Sequence, residues 1–151
     1  MAELRTLGWR EWVGFPDIGI AQIKAKVDTG ARTSCLHAFK VESYDNEGAT
    51  WVRFDIHPSQ TDSSDVVQCS APVLEQRVVR DSGGHEELRY VIETTMTIGD
   101  HEQTVEVTLT DRDTMKFRVL LGRTAIQGAF TVDPSGSYLI GKRKRQMSTT
   151  A

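Results

Sequence analysis

"KVDTGARTS", residues 26–34, places an aspartate, a threonine and a glycine in succession after an apolar stretch. Residues 20–27 alternate loosely between apolar and polar side chains, which predicts a β-strand that ends at Asp28. Thr29 can fix the turn with its hydroxyl, and Gly30 allows another backbone to approach because it has no Cβ. Asp28 is therefore either an ordinary turn residue or a catalytic carboxylate presented at a strand end.

The tripeptide alone does not decide between these readings, because the chain contains a second copy. Asp81-Ser82-Gly83 fits the same pattern but is surrounded by polar residues and by Gly84. Aspartate, serine and glycine are typical of tight turns. We therefore interpret the second copy as the tip of a hairpin.

The composition describes an ordinary globular chain and limits the classes of function. The 151 residues suit one domain, and the net charge of −3 favours neither nucleic acid nor an anionic membrane as a partner. The sequence has no apolar run of about 18 residues and no signal-peptide pattern at its start, so we expect a cytoplasmic protein. The two cysteines, Cys35 and Cys69, fit that location as reduced thiols.

Short segments rich in valine, isoleucine and threonine alternate with turn residues along the whole chain. They predict about ten short strands and an all-β barrel or sandwich. Residues 123–129 are the one good candidate for a short helix, and residues 130–141 are predicted to form a closing hairpin. Pro72 is expected to interrupt the strand predicted over residues 66–80.

A second motif, "VLLGR" at residues 119–123, consists of apolar residues that lead into Gly122. "VDTGA" early, "VLLGR" late, a short helix and a final hairpin resemble a retropepsin, the single-lobe aspartic protease of the retroviral type. More closely, "KVDTGARTSCLHA" and "LTDRDTMKFRVLLGR" resemble a bacterial retropepsin-like domain long labelled an ATP-dependent zinc protease. Members of that family are found alongside ATP-grasp glutamate ligases. The resemblance covers residues 8–141 and leaves 142–151 as a basic tail.

The resemblance implies an aspartic endopeptidase with a closed all-β barrel. Its dyad would pair Asp28 from each subunit of a homodimer, braced by Thr29, while Gly122 would let two backbones cross closely. Residues 78–90 would form a flap over the substrate. The implied site comprises the catalytic loop Asp28, Thr29 and Gly30 and the substrate-binding residues Ala31, Arg32, Gly83, Gly84, Arg89 and Arg123.

Arg32 departs from the retroviral pattern, in which an acidic residue commonly follows Asp-Thr-Gly-Ala. Other basic residues lie near the implied cleft or flap: Lys24, Lys26, Arg77, Arg80, Arg89 and Arg123. Because arginine pairs bidentately with carboxylates, this rim predicts an acidic peptide substrate such as an oligoglutamate tail. Solvated charges on strand faces are the alternative interpretation.

The sequence contains no zinc-ligand motif that would account for the word zinc in the family label. A zincin helix carries His-Glu-x-x-His, but His85-Glu86 is followed by Arg89 in place of the second histidine. We therefore predict neither a metal nor another cofactor. Two alternatives stay open beside the peptidase: a non-catalytic peptide-binding or adaptor module that works with a glutamate ligase, and a metallopeptidase.

Overall fold

The computed structural model describes residues 4–59, 65–80, 83–112 and 116–141. Strands account for 62% of the structure and nearly all of its regular elements. The strands are β1 (Arg5–Leu7), β2 (Arg10–Phe15), β3 (Ile20–Val27), β4 (Ser34–His37), β5 (Phe39–Asn46), β6 (Ala49–Ile56), β7 (Val67–Arg80), β8 (Glu86–Ile98), β9 (His101–Thr110), β10 (Val119–Leu121) and β11 (Phe130–Val132). Two single 3₁₀ turns, Pro16–Ile18 and Arg123–Ala125, accompany them.

Nine of the strands form one sheet in the order β2-β3-β10-β4-β9-β8-β7-β6-β5. The sheet curls until Gly14 of β2 pairs with Thr97 of β8, which closes β2, β3, β10, β4, β9 and β8 into a six-stranded barrel. The outer strands β6 and β5 continue the sheet beyond the closure. The predicted all-β closed barrel is therefore confirmed.

Period-two patterning explains why these residues form strands around a core. In β6, Val52, Phe54 and Ile56 are buried, whereas Arg53 between them is exposed. β9 repeats the pattern, with Val105 and Val107 in the core. Alternate residues of a strand point to opposite faces of the sheet, so one face fills the barrel and the other meets solvent or a cleft.

The end of the chain differs from the prediction. Residues 130–141 do not form a hairpin, because β11 pairs in parallel with β1, with Phe130 opposite Arg5. The predicted short helix at 123–129 is reduced to the 3₁₀ turn Arg123–Ala125. Pro72 does not interrupt β7, whose only register shift on β8 falls between Val73 and Glu75.

A buried carboxylate holds the terminal segment in place of the predicted hairpin. Glu11 on β2 is fully buried and accepts N–H groups from Gly8 at 2.6 Å, Leu139 at 3.0 Å, Ile140 at 3.1 Å and Gly141 at 2.7 Å. Four backbone donors satisfy a charge that would otherwise be costly to bury. The connection before β2 and the last three described residues are thereby tied to one side chain of β2.

Among the described residues, no helix has the length and apolar character needed to cross a membrane.

Candidate active site

The Asp28 loop, residues 28–33, begins where β3 ends at one end of the barrel. The N–H of Asp28 donates to the carbonyl of Leu121 at 2.8 Å, because β3 and β10 are parallel neighbours with Leu121 opposite Val27. The Asp28 Oδ1 accepts the N–H of Gly30 at 3.0 Å, and the Asp28 carbonyl accepts that of Ala31 at 3.2 Å. The carboxylate is therefore oriented by the backbone of its own loop.

Gly122 lies where the Asp28 loop crosses the segment after β10. A Cβ added to Gly122 would lie 2.5 Å from the carbonyl carbon of Thr33. The Gly122 dihedral angles, φ −84° and ψ 173°, are allowed for any residue. Glycine is therefore required at this position because there is no room for a Cβ. The Gly122 N–H donates to the Ser34 Oγ at 3.1 Å, and the Arg123 N–H donates to the Ala31 carbonyl at 2.8 Å. Two backbones are thus fastened in close contact where the Asp28 loop ends at Thr33.

Arg123 supports the Asp28 loop from outside the cleft. Its guanidinium Nη1 donates to the carbonyl of Thr29 at 2.9 Å, and its side chain does not line the cleft next to Asp28. Arg123 was predicted to bind substrate; its guanidinium is bonded to the Asp28 loop, and substrate binding by Arg123 stays a prediction. The Thr29 carbonyl accepts this bond, while the predicted bracing by the Thr29 hydroxyl across a dimer stays a prediction.

An open cleft of about 760 Å³ separates the Asp28 loop from the hairpin arm, which we define as residues 75–80 of β7 and 86–91 of β8. Asp28, Gly30, Ala31 and Arg32 line one side. The described lining contains one carboxylate, that of Asp28. It also contains five arginines: Arg32, Arg77, Arg80, Arg89 and Arg112. The cleft lining is therefore rich in arginine although the chain as a whole is acidic.

The hairpin arm corresponds to the predicted flap, residues 78–90. Gly83 and Gly84 lie at its tip, and Gly84 has a φ of +83°, a conformation that glycine adopts without strain. Neither glycine lines the cleft. Asp81 and Ser82 of the second tripeptide lie outside the described residues, as does the predicted basic tail at 142–151.

Arg77 and Arg89 lie directly opposite each other on β7 and β8. Like charges in this position repel, and carboxylates relieve the repulsion. Arg77 donates to Glu75 at 2.9 Å and to Glu106 at 3.0 Å, and these hydrogen bonds raise the pKa of the Arg77 guanidinium. Arg89 donates to Glu87 at 3.0 Å.

The Arg89 guanidinium is buried in the wall of the cleft. Only 7% of its side chain is exposed, and its Nη1 lies 3.3 Å from the Thr108 Oγ1 and 3.5 Å from the Cys35 Sγ. Thr110 donates to the carboxylate of Glu87, the partner of Arg89, at 3.0–3.1 Å. A polar network therefore fixes Arg89 on the cleft side of the arm.

Cys35 and His37 on β4 do not form a nucleophile and base. Burial raises the pKa of the Cys35 thiol, although the nearby Arg89 charge acts in the opposite direction. The thiol is therefore neutral at physiological pH. The His37 Nδ1 accepts the backbone N–H of Arg112 at 3.0 Å, so this ring atom is engaged in holding the cleft wall.

Within the described ranges, no group of three or more histidine, cysteine or acidic side chains could hold a metal ion. Lys24 and Lys26 were expected near the cleft but do not line it, and the Lys24 ammonium lies 5.4 Å from the Trp12 ring centroid.

The sequence prediction missed several polar residues that shape the cleft. They are Thr33, Ser34, Glu87, Glu106, Thr108 and Thr110. The alternation in β9 separated Glu106 and Thr108 from the core, which was the available signal. It did not indicate that this polar face lines a cleft, because that depends on where β4 and the hairpin arm lie.

The sequence matches one protein-family model and several curated relatives. The family model described as retropepsin-like aspartic endopeptidase RimB matches residues 6–143. A probable alpha-L-glutamate ligase of Parasynechococcus marenigrum is 46% identical over 135 residues, and one of Shewanella halifaxensis is 42% identical over 137 residues. The matches cover 89% and 91% of this chain but only 29% and 30% of those relatives.

A crystal structure of the Legionella pneumophila protein Lpg0085, described as being of unknown function, has the same fold. Its TM-score is 0.74 at 24% sequence identity, and the match covers 91% of this chain and 98% of that one.

Proposed function

This chain belongs to the RimB-like family of retropepsin-like aspartic endopeptidases, and from that premise we propose that it is a homodimeric aspartic peptidase. It hydrolyses peptide bonds with a water molecule that is activated by two Asp28 carboxylates, one from each subunit.

The position of Asp28 is the observation that carries this proposal. Its carboxylate lies at the cleft, is oriented by the Gly30 N–H and is the only carboxylate in the described lining. Aspartic peptidase chemistry needs two carboxylates that share one proton. A second copy of the chain supplies the missing group if the two Asp28 loops meet at a two-fold axis.

The mechanism follows from the repulsion between the two carboxylates. Like charges about 3 Å apart cannot both ionise, so one group is protonated while the other stays ionised. The ionised carboxylate takes a proton from water, whose oxygen attacks the peptide carbonyl carbon. The protonated carboxyl gives its proton to the carbonyl oxygen, and the carboxyl that took the proton from water passes it to the amide nitrogen as the C–N bond breaks. In each subunit the Gly30 N–H hydrogen-bonds Oδ1, which holds the carboxyl plane in one orientation.

The charge of the cleft supports an acidic peptide as the substrate. Five arginines and one carboxylate line the described cleft, and guanidinium groups bind carboxylates through paired hydrogen bonds. An oligoglutamate segment has this chemistry. The relatives named probable alpha-L-glutamate ligases agree with such a substrate and with a ligase as a partner.

The test is hydrolysis of a polyglutamate peptide by the wild-type protein and by the Asp28→Asn variant. Asparagine keeps an oxygen for the Gly30 N–H but cannot take up or give a proton as a carboxyl does. We expect kcat/KM to fall by about 1,000-fold or more, with the melting temperature little changed. Asp17→Asn is the matched control, because Asp17 is an exposed carboxylate outside the cleft.

Equal cleavage by wild type and Asp28→Asn would refute the aspartic mechanism. A crystal structure of the assembled protein adds an independent criterion, which is whether the two Asp28 carboxylates lie about 3 Å apart.

A non-catalytic peptide-binding module is the second candidate. It is favoured by the relatives' names and by the fact that the chain spans about three tenths of their length. In this case wild type and Asp28→Asn bind polyglutamate equally well and neither cleaves it.

A further inference from the structure

The five cleft arginines differ in whether a carboxylate of this chain already neutralises them. Arg77 is paired with Glu75 and Glu106, Arg80 with Glu86 at 2.5 Å, and Arg89 with Glu87. Arg112 is held through its backbone N–H, which donates to the His37 Nδ1 at 3.0 Å. The paired side chains of Arg77, Arg80 and Arg89 shape the wall of the cleft, and a substrate carboxylate would have to compete with their present partners.

Arg32 is different because its guanidinium has no ion-pair partner in the described part of the chain. The residue is exposed and lines the cleft on the same side as Asp28. Its backbone is nevertheless fixed, because its carbonyl accepts the Thr124 N–H at 3.0 Å. The neighbouring Ala31 carbonyl is held by the Arg123 N–H at 2.8 Å. The structure thus presents an uncompensated cation from a firmly held point of the cleft.

Arg32 also lies close to the reacting groups along the chain. It is the fourth residue after Asp28, which limits the separation of their Cα atoms to about 14 Å even for a fully extended chain. A bound peptide in extended conformation advances about 3.3 Å per residue. The long Arg32 side chain can therefore reach a substrate side chain within a few residues of the bond above Asp28.

We propose that Arg32 is the specificity-determining residue of this cleft and binds one substrate carboxylate beside the cleaved bond, whereas Arg77, Arg80 and Arg89 maintain the cleft wall. The proposal rests on the proposed peptidase function and deepens it, since it assigns acidic selectivity to one side chain instead of to the basic cleft as a whole. Bidentate pairing requires the planar guanidinium group, so lysine replaces it only in part.

The experiment uses neutral peptides in which a single glutamate, or the glutamine of equal size, occupies each position around the cleaved bond in turn. We expect wild type to prefer glutamate over glutamine at one position by about tenfold to a hundredfold in kcat/KM, the range of one charged hydrogen-bonded contact. Arg32→Gln abolishes the preference at that position, and Arg32→Lys restores part of it.

Lys26→Gln is the matched control. It removes the same charge two residues before Asp28, from an exposed side chain that does not line the cleft. The Lys26→Gln variant keeps the preference for glutamate over glutamine if that preference is caused by contact with Arg32. Equal loss in both variants would mean that the general positive field selects the substrate, and the proposal would be wrong.

Binding of the same peptides to the Asp28→Asn protein, measured by calorimetry, separates this proposal from the peptidase function. Glutamate-selective binding that disappears when Arg32→Gln is added supports the role of Arg32 even if wild type cleaves no peptide. Cleavage by wild type with an unchanged preference in Arg32→Gln leaves the peptidase function intact and overturns the role of Arg32. An Arg32→Gln variant that only weakens dimerisation would likewise overturn it, because Arg32 would then pair with the second subunit.

Discussion

The two walls of the cleft are built in different ways. The Asp28 loop is fixed by backbone hydrogen bonds to the segment after β10, including Asp28 to Leu121, Arg123 to Ala31 and Thr124 to Arg32. The hairpin arm is a two-stranded ladder that carries one exposed ion pair at its outer end. In the pair of Arg80 with Glu86, the side chains are 70% and 53% exposed.

We infer from this difference that the Asp28 loop holds its carboxylate in an accurate position, whereas the hairpin arm can adjust its position to a substrate. A catalytic carboxylate must be held within a fraction of an ångström, and backbone contacts between tightly packed segments achieve this. Exposed ion pairs contribute little to stability, and exposed strand ends open easily. Val78 and Leu88, paired across the arm, are 58% and 61% exposed, so little packing restrains it there. Changes in the Asp28 wall should therefore affect folding and catalysis far more than changes in the arm.

Gly122→Ala should have the largest effect on stability. The new Cβ would lie 2.5 Å from the Thr33 carbonyl carbon, and neither backbone can move without breaking the bonds that hold the Asp28 loop. We expect the free energy of unfolding to fall by about 3 kcal/mol or more, measured by urea denaturation, with loss of peptidase activity.

Gly128→Ala is the matched control for this prediction. Gly128 has a φ of +81°, but a Cβ there would meet no heavy atom within 4 Å. Only left-handed backbone strain remains, at a cost of about 1–2 kcal/mol. If the two alanine variants were equally stable, close backbone contact at Gly122 would not be what limits that position.

Arg123→Met should reduce catalysis more than stability. Methionine keeps much of the apolar stem but loses the donor to the Thr29 carbonyl, and the bond is exposed. We expect the free energy of unfolding to change by less than about 1 kcal/mol. We expect kcat to fall about tenfold with KM little altered, because the loop that orients Asp28 loosens while the cleft lining stays in place.

Recovery of kcat in Arg123→Lys would support the positioning role, since lysine can still donate to the carbonyl. An increase in KM at constant kcat would contradict it, because that result would indicate that Arg123 binds substrate, as the sequence had suggested.

The Asp28 wall could be predicted from the sequence because its signals are local. One predicted strand leads into Asp28-Thr29-Gly30 and another leads into Gly122. Glycine at these positions indicates that a second backbone approaches closely. What the sequence did not indicate was the contact that Arg123 makes with the Asp28 loop. Its side chain donates to Thr29, which is 94 residues away in the chain, and only the parallel pairing of β3 with β10 brings them together.

The terminal segment was predicted wrongly for a related reason. Pro134-Ser135-Gly136 is a strong turn signal, and it suggested a hairpin. Residues 139–141 instead lie beside β2, because their N–H groups donate to the buried carboxylate of Glu11, which is 128–130 residues earlier in the sequence. A glutamate in an alternating strand usually points to solvent, so no local pattern identifies it as a buried acceptor.

Arg80→Gln, in the hairpin arm, should have the smallest effect. The variant removes an exposed ion pair with Glu86 but keeps the strand pairing of β7 and β8. We expect the free energy of unfolding to change by no more than about 0.5 kcal/mol, and less at 0.5 M salt, where exposed charges are screened. A loss above about 1 kcal/mol that persists in high salt would show that the arm is held as firmly as the Asp28 loop. The contrast between the two walls would then fail, and adaptation of the cleft to substrate would have to come from elsewhere in the molecule.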